Sequence, residues 1–118
     1  MIFVLEDDPY RIDWFKQNWP DVLYTDNPLT GLDLIRDHPD LEMIFLDHDL
    51  GGAAYVRGEF GDGIDFAKAM AAEKLHVDTP VFIHSLNMPG AENIENALSG
   101  THSMVRRVPF TILRNQMG

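Results

Sequence analysis

"IFVLEDDPYR", residues 2–11, decides the fold. Ile2 to Leu5 is an unbroken apolar run, the signature of a strand buried on both faces. Asp8 and Pro9 follow at once, a good N-cap and a residue suited to the first helical position. Ile12, Phe15 and Trp19 then recur on one helical face, and Pro20 ends the helix. A strand runs directly into a helix, and a short acidic stretch, Glu6-Asp7-Asp8, marks the junction.

The same alternation continues along the chain. Val22 to Tyr24 reads as a second strand, and Asp26-Asn27-Pro28 as a helix start. Leu32 and Ile35 line that helix, which stops before Pro39. Met43 to Leu46 is a third apolar run. A long loop from Asp47 to Asp62 carries four glycines before Gly63. Ile64, Ala67, Met70 and Ala71 mark the next helix. Pro80 opens a fourth strand, Val81 to Ile83, and Pro89-Gly90 punctuates. Ile94, Ala97 and Leu98 line another helix. Ser103 to Arg106 is a fifth strand, from which Val108-Pro109-Phe110 turns away. Strands alternating with helices specify a parallel sheet covered on both faces. The expectation is a flavodoxin-like, doubly wound α/β fold with five parallel strands. Only eight residues follow Phe110, so the final helix is expected to be short or missing.

Composition narrows the function classes. The 118 residues suit one domain, residues 1–118, and 45% hydrophobic residues suffice for a core. With no cysteine, disulfides and thiolate metal sites are excluded. No signal-peptide pattern or membrane-length apolar run is present, which points to a cytoplasmic protein. A net charge of −10 argues against broad nucleic-acid binding. It leaves room for a cation or a small phosphate ligand.

In open α/β sheets, ligands bind beyond the carboxyl ends of the strands. Those ends here read Glu6-Asp7-Asp8, Asp47-His48-Asp49, His84-Ser85-Leu86-Asn87 and Arg106-Arg107. Glu6, Asp7 and Asp47 suit a hard cation such as Mg²⁺ or Mn²⁺, which takes carboxylate oxygens. His84 and His48 are candidates for general acid or base. Ser85 and Asn87 offer hydrogen bonds to phosphate oxygens. Glu92 and Asn93 open a helix whose amides favour an anion. Arg106 and Arg107 alternate on a strand, so at most one faces the site. Tyr55 and Arg57, in the long loop, suggest a lid. Trp14, Phe15 and Trp19 are core, and His38, His76 and His102 receive no role.

These stretches resemble the receiver domain of two-component signalling. "IFVLEDDPYR" is similar to a receiver's first strand with its acidic pair, "MIFLDHDL" to the strand bearing the phospho-accepting aspartate, and "DGIDFAKAM" to the following helix. "TPVFIHS" resembles the fourth strand with its terminal Ser or Thr, and "VRRVPF" the fifth. The resemblance implies that Glu6, Asp7 and Asp47 bind a divalent cation, joined by the backbone carbonyl of Asp49. It also implies that Ser85 contacts a phosphoryl group and that Asp47 is the acceptor. Receivers usually carry a lysine where this chain has Val108 and require no histidines at positions like 48 and 84. "LDHDL", "HSLN", "GAEN" and "RRVPF" resemble a divergent branch, the cyclic-phosphate-processing receiver-like domains. That branch implies acting on, or sensing, a cyclic phosphate linked to RNA repair.

Three functions stay open at this point. The first is a metal-dependent phosphoesterase or sensor for a small phosphate-containing ligand. The second is a stand-alone response-regulator receiver phosphorylated on Asp47. The third is a degenerate receiver that binds a protein partner.

Overall fold

A computed structural model describes residues 1–50 and 62–117. Five strands and five helices alternate: β1 (Ile2–Leu5), α1 (Pro9–Asn18), β2 (Leu23–Thr25), α2 (Pro28–Asp37), β3 (Met43–Leu46), α3 (Gly63–Glu73), β4 (Val81–Ile83), α4 (Met88–Leu98), β5 (Val105–Arg107) and α5 (Phe110–Met117). The strands form one parallel sheet in the order β2-β1-β3-β4-β5. This is the flavodoxin-like, doubly wound fold expected of the sequence. The last helix is present and spans 8 residues. The proposed lid residues Tyr55 and Arg57 lie outside the described residues.

Side-chain alternation sorts the core into two layers. Phe3, Leu5, Ile44, Leu46, Val81 and Ile83 face α2, α3 and α4. Ile2, Val4, Phe45 and Phe82 face the other way, toward Phe15 of α1 and Phe110 and Leu113 of α5. That second layer is largely aromatic: the Phe15 and Phe45 rings lie 5.1 Å apart and Phe45 and Phe82 5.3 Å apart.

Helix starts follow from short polar side chains. Asp8 caps α1, accepting from the amides of Tyr10 and Arg11, and Asn27 caps α2 in the same way. Asn87 caps α4, its Oδ1 accepting from Gly90 N at 3.0 Å. This corrects one expectation: α4 begins at Met88, so Glu92 and Asn93 lie in its second turn rather than at its mouth. Pro89 punctuates by starting this helix, since proline fits the first helical turn.

Candidate functional site

The strand register brings the polar residues together. Leu5, Leu46, Ile83 and Arg107 stand side by side across the sheet. The ladder continues one step further, through Asp47 N to Leu5 O, His84 N to Leu46 O and Val108 N to Ile83 O. Glu6, Asp47, His84 and Val108 therefore form one row at the carboxyl edge. By alternation that row shares the aromatic face with Val4, Phe45 and Phe82.

Glu6 is fully buried, and both of its oxygens are engaged. Oε2 accepts from the amides of Asp7 and Asp8 at 3.0 and 3.1 Å. Oε1 lies 2.7 Å from His84 Nε2. Burial raises the Glu6 pKa, opposed by the amide of Asp8 and the other groups bonded to it. Asp47 is 3% exposed, and burial together with the neighbouring Glu6 charge pushes its carboxyl up to about 6. Its Oδ1 accepts from His48 N at 2.9 Å. Asp7 is half-buried, and its carboxylate has no hydrogen-bond or ion-pair partner among the described residues.

His84, a candidate general acid or base in the sequence, lies behind Glu6. The ring is fully buried, 5.3 Å from Phe15 and 6.4 Å from both Phe45 and Phe110. Burial pushes its pKa down to about 4, so the ring is neutral at neutral pH. Nε2 then carries the proton and donates to Glu6, in a hydrogen bond between a neutral imidazole and a carboxylate. Nδ1 is buried without a partner among the described residues. A ring walled off in this way reaches a ligand only through Glu6. The ring stands behind Glu6, on the core side of the acidic row.

The other candidates divide. Asp7, Asp8, Asp47, Asp49, Ser85 and Asn87 line one depression of about 220 Å³ together with Leu86 and Arg11. Ser85 is buried and hydrogen-bonded to Asp47, and its Oγ accepts from Asn87 N at 3.1 Å. Asn87 spends Oδ1 on the α4 cap and Nδ2 on Asp49, 3.2 Å away. Asp49 also takes His48 Nδ1 at 2.7 Å, and these bonds lower its pKa. His48 lies under the start of α4, where a Cβ on Gly90 would meet its ring at 2.5 Å. It is not among the residues lining the depression.

Neither Arg106 nor Arg107 reaches the depression. Both are exposed, and Arg107 pairs with Glu95 of α4 at 3.2 Å. Asn93 is exposed on α4. Sequence reasoning missed the cation that does face the site. Arg11 NH1 stands 3.5 Å from Glu6 Oε1 and 3.8 Å from Asp47 Oδ2. One signal was available: a cation in the first turn of a helix opposes the macrodipole, so something else must favour it there.

Glu6, Asp7 and Asp47 each offer an oxygen within 4.8 Å of the others. That separation suits one hard cation, and the unpartnered Asp7 and the burial-strained Asp47 fit such a group. Backbone packing fixes Asp47. Gly63 N donates to His48 O at 2.9 Å, and a Cβ on Gly63 would fall 1.9 Å from Asp47 O.

Comparison with known proteins agrees with this architecture. The receiver domain of NtrX from Brucella abortus superposes with a TM-score of 0.71 at 17% identity, over 99% of this chain and 91% of that one. The signal receiver domain of the putative response regulator NarL from Mycobacterium tuberculosis gives 0.59 at 18%, over 98% and 90%. A longer NtrX structure from Brucella abortus gives 0.64 at 21%, over 96% of this chain and 24% of that one. At these identities the likeness shows the fold alone. No curated protein matches the chain. Residues 2–100, however, match the family model of the cyclic-phosphate processing receiver domain, and the chain belongs to that family.

Proposed function

We propose that the carboxyl edge of the sheet binds a divalent cation, Mg²⁺ or Mn²⁺, together with a small phosphate-containing ligand, and that it processes or senses a cyclic phosphate. The observation that carries the reading is the row of Glu6 and Asp47 beside an unpartnered Asp7, with carboxylate oxygens within 4.8 Å of one another. Packed so closely, with Glu6 and Asp47 buried, these acids repel one another, and a cation would relieve them. Bound there, the cation would neutralise phosphate oxygens in the depression.

The chain's own residues have separable tasks in this reading. Asp47 would help hold the cation, whose charge would favour the carboxylate over the proton it otherwise retains up to about pH 6. Ser85 orients Asp47 through its hydroxyl. His84 holds Glu6 from behind. Val108, in the row where receivers usually carry a lysine, favours this reading over a phospho-accepting switch with Asp47 as its phosphorylation site.

Thermal melts with MgCl₂ and 2′,3′-cyclic AMP test binding, because a ligand selective for the native state raises stability by about 2.7 kcal/mol at a hundredfold excess over Kd. Turnover of the cyclic nucleotide that is lost in Asp47→Asn supports processing. Binding without turnover supports sensing. A stable gain of one phosphoryl group from acetyl phosphate, lost in Asp47→Asn, would overturn both in favour of the signalling receiver.

A further inference from the structure

We infer that Arg11 is the anion-contacting residue of the depression and sets its preference for phosphate. The inference rests on the cation-and-phosphate reading above and names the side chain that would take the phosphate.

Five carboxylates lie in or behind the depression: Glu6, Asp7, Asp8, Asp47 and Asp49. An anion cannot approach them unless positive charge faces it. Arg11 is the one cationic side chain among the described residues that line the depression. Its side chain is 20% exposed, and its guanidinium faces three carboxylates. NH1 faces Glu6 and Asp47 at 3.5 and 3.8 Å, and Nε faces Asp8 at 4.0 Å. The guanidinium carbon sits 5.4 Å from the centroid of the Phe110 ring.

These distances are ion-pair distances, too long for strong hydrogen bonds. Among the described residues, none of the five guanidinium N–H donors makes a side-chain hydrogen bond of ordinary length. Arginine is usually retained for its planar fork, which matches phosphate and carboxylate oxygens in pairs. Here the fork is positioned, charged and largely unspent. Arg11 also enters from α1, on the aromatic face that Glu6, Asp47 and Val108 share. Val108 brings no charge to that row, and neither Arg106 nor Arg107 lines the depression. The positive charge that the edge of the sheet lacks is thus supplied by the first turn of α1.

A divalent cation at Glu6, Asp7 and Asp47 would share the neutralisation of those carboxylates. The guanidinium would then have donors to spend on a phosphate. Arg11 and the metal therefore pull in different directions in a binding experiment. Removing Arg11 removes a competing cation, so Mg²⁺ alone binds the variant as well as or better than the parent. The phosphate, by contrast, loses its fork.

The test is calorimetric titration of the whole chain with Mg²⁺ alone, then with inorganic phosphate and 2′,3′-cyclic AMP at saturating Mg²⁺. Three proteins are compared: the parent, Arg11→Gln and Arg11→Lys. Arg106→Gln serves as a surface control. Losing a charge-assisted hydrogen-bond pair weakens phosphate about tenfold or more in Arg11→Gln. Arg11→Lys keeps the charge but not the fork and recovers only part. Arg106→Gln behaves as the parent. Parent-like phosphate affinity in Arg11→Gln overturns the assignment, as does a loss of phosphate affinity on removing Arg106 instead of Arg11. Weakened Mg²⁺ binding in Arg11→Gln also overturns it, because Arg11 would then be a structural prop. A parent that binds no Mg²⁺ refutes the underlying cation reading. A parent that binds Mg²⁺ but neither phosphate probe refutes the phosphate half of that reading and Arg11 with it, whereas a parent that binds phosphate no better than Arg11→Gln refutes the role of Arg11 alone. Melting each variant without ligand separates a folding defect from a binding one, and Arg11→Lys carries the test should Arg11→Gln not fold.

Discussion

His84 joins two opposed features: one ring nitrogen bonded to a buried carboxylate, the other buried with nothing to bond. Removing the ring leaves a cavity among Phe15, Phe45 and Phe110 and strips Glu6 of a partner. Each loss costs several kcal/mol in other buried sites, so His84→Ala should lower unfolding free energy by about 3 kcal/mol or more in urea melts. A loss below about 1 kcal/mol would show that the ring is not holding Glu6. Asp47 gives a pH test. Its carboxyl is raised from 3.8 to about 6, so the native state holds that proton more tightly than the unfolded chain. The parent therefore loses stability as pH climbs through that window, while Asp47→Asn, neutral throughout, does not. The variant should gain on the parent by about 2 kcal/mol between pH 4 and pH 7 in denaturant melts. His84, lowered to about 4, has the opposite sign and costs both proteins stability as pH falls from 6.5 toward 4. Parallel pH profiles would show that Asp47 titrates as an ordinary aspartate. The face that His84 occupies is legible in sequence by counting in twos from Phe82, but its burial is not. Burial depends on α1 and α5 closing over it, and those contacts are distant in the chain.

Elements fix where these residues stand. The alternation of apolar runs with Asp-Pro and Asn-Pro starts makes the order of strands and helices readable, since each signal is local. The start of α4 is less so, because "LNMPGAEN" contains two asparagines, Asn87 and Asn93, on either side of Pro89-Gly90. Asn87 takes the capping role because Pro89 fits the first turn and Gly90 N comes within 3.0 Å of its Oδ1. Arg11 escapes notice for a related reason: it sits in a helix whose apolar stripe draws attention to Ile12 and Phe15. Its partners lie on β1 and β3. Two glycines test how α3 and α4 clamp the site. Gly63→Ala would drive a Cβ into the Asp47 carbonyl, a backbone atom that cannot turn aside. A cost of about 3 kcal/mol is expected, with weakened Mg²⁺ binding because Asp47 shifts. At Gly90 the nearest atoms a Cβ would meet belong to the His48 side chain rather than to backbone, and helical alanine returns about 1 kcal/mol. Thermal melts should rank Gly63→Ala as far the more damaging, and the reverse order would contradict the packing described for β3 and α3.

Across the molecule, the sheet order β2-β1-β3-β4-β5 places β1, β3 and β4 side by side. Their one-residue overhangs are Glu6, Asp47 and His84, so three positions far apart in sequence become one row. This convergence follows from the fold class and the register, and it was readable once five parallel strands were assigned. The source of the site's positive charge was not, because arginines near the end of β5 looked better placed than one on α1. A net charge of −10 also sets the character of the whole surface: cations are drawn in, and polyanions are kept away. The most direct test of the account uses Asp7, whose half-exposed carboxylate has no partner among the described residues and can be neutralised without disturbing the core. Isothermal titration of Mg²⁺ into the parent and Asp7→Asn should show one site in the parent and a weakening of about tenfold or more in the variant, with unchanged melting temperature in metal-free buffer. No Mg²⁺ binding by the parent, or equal binding by both proteins, would contradict a cation held by Glu6, Asp7 and Asp47.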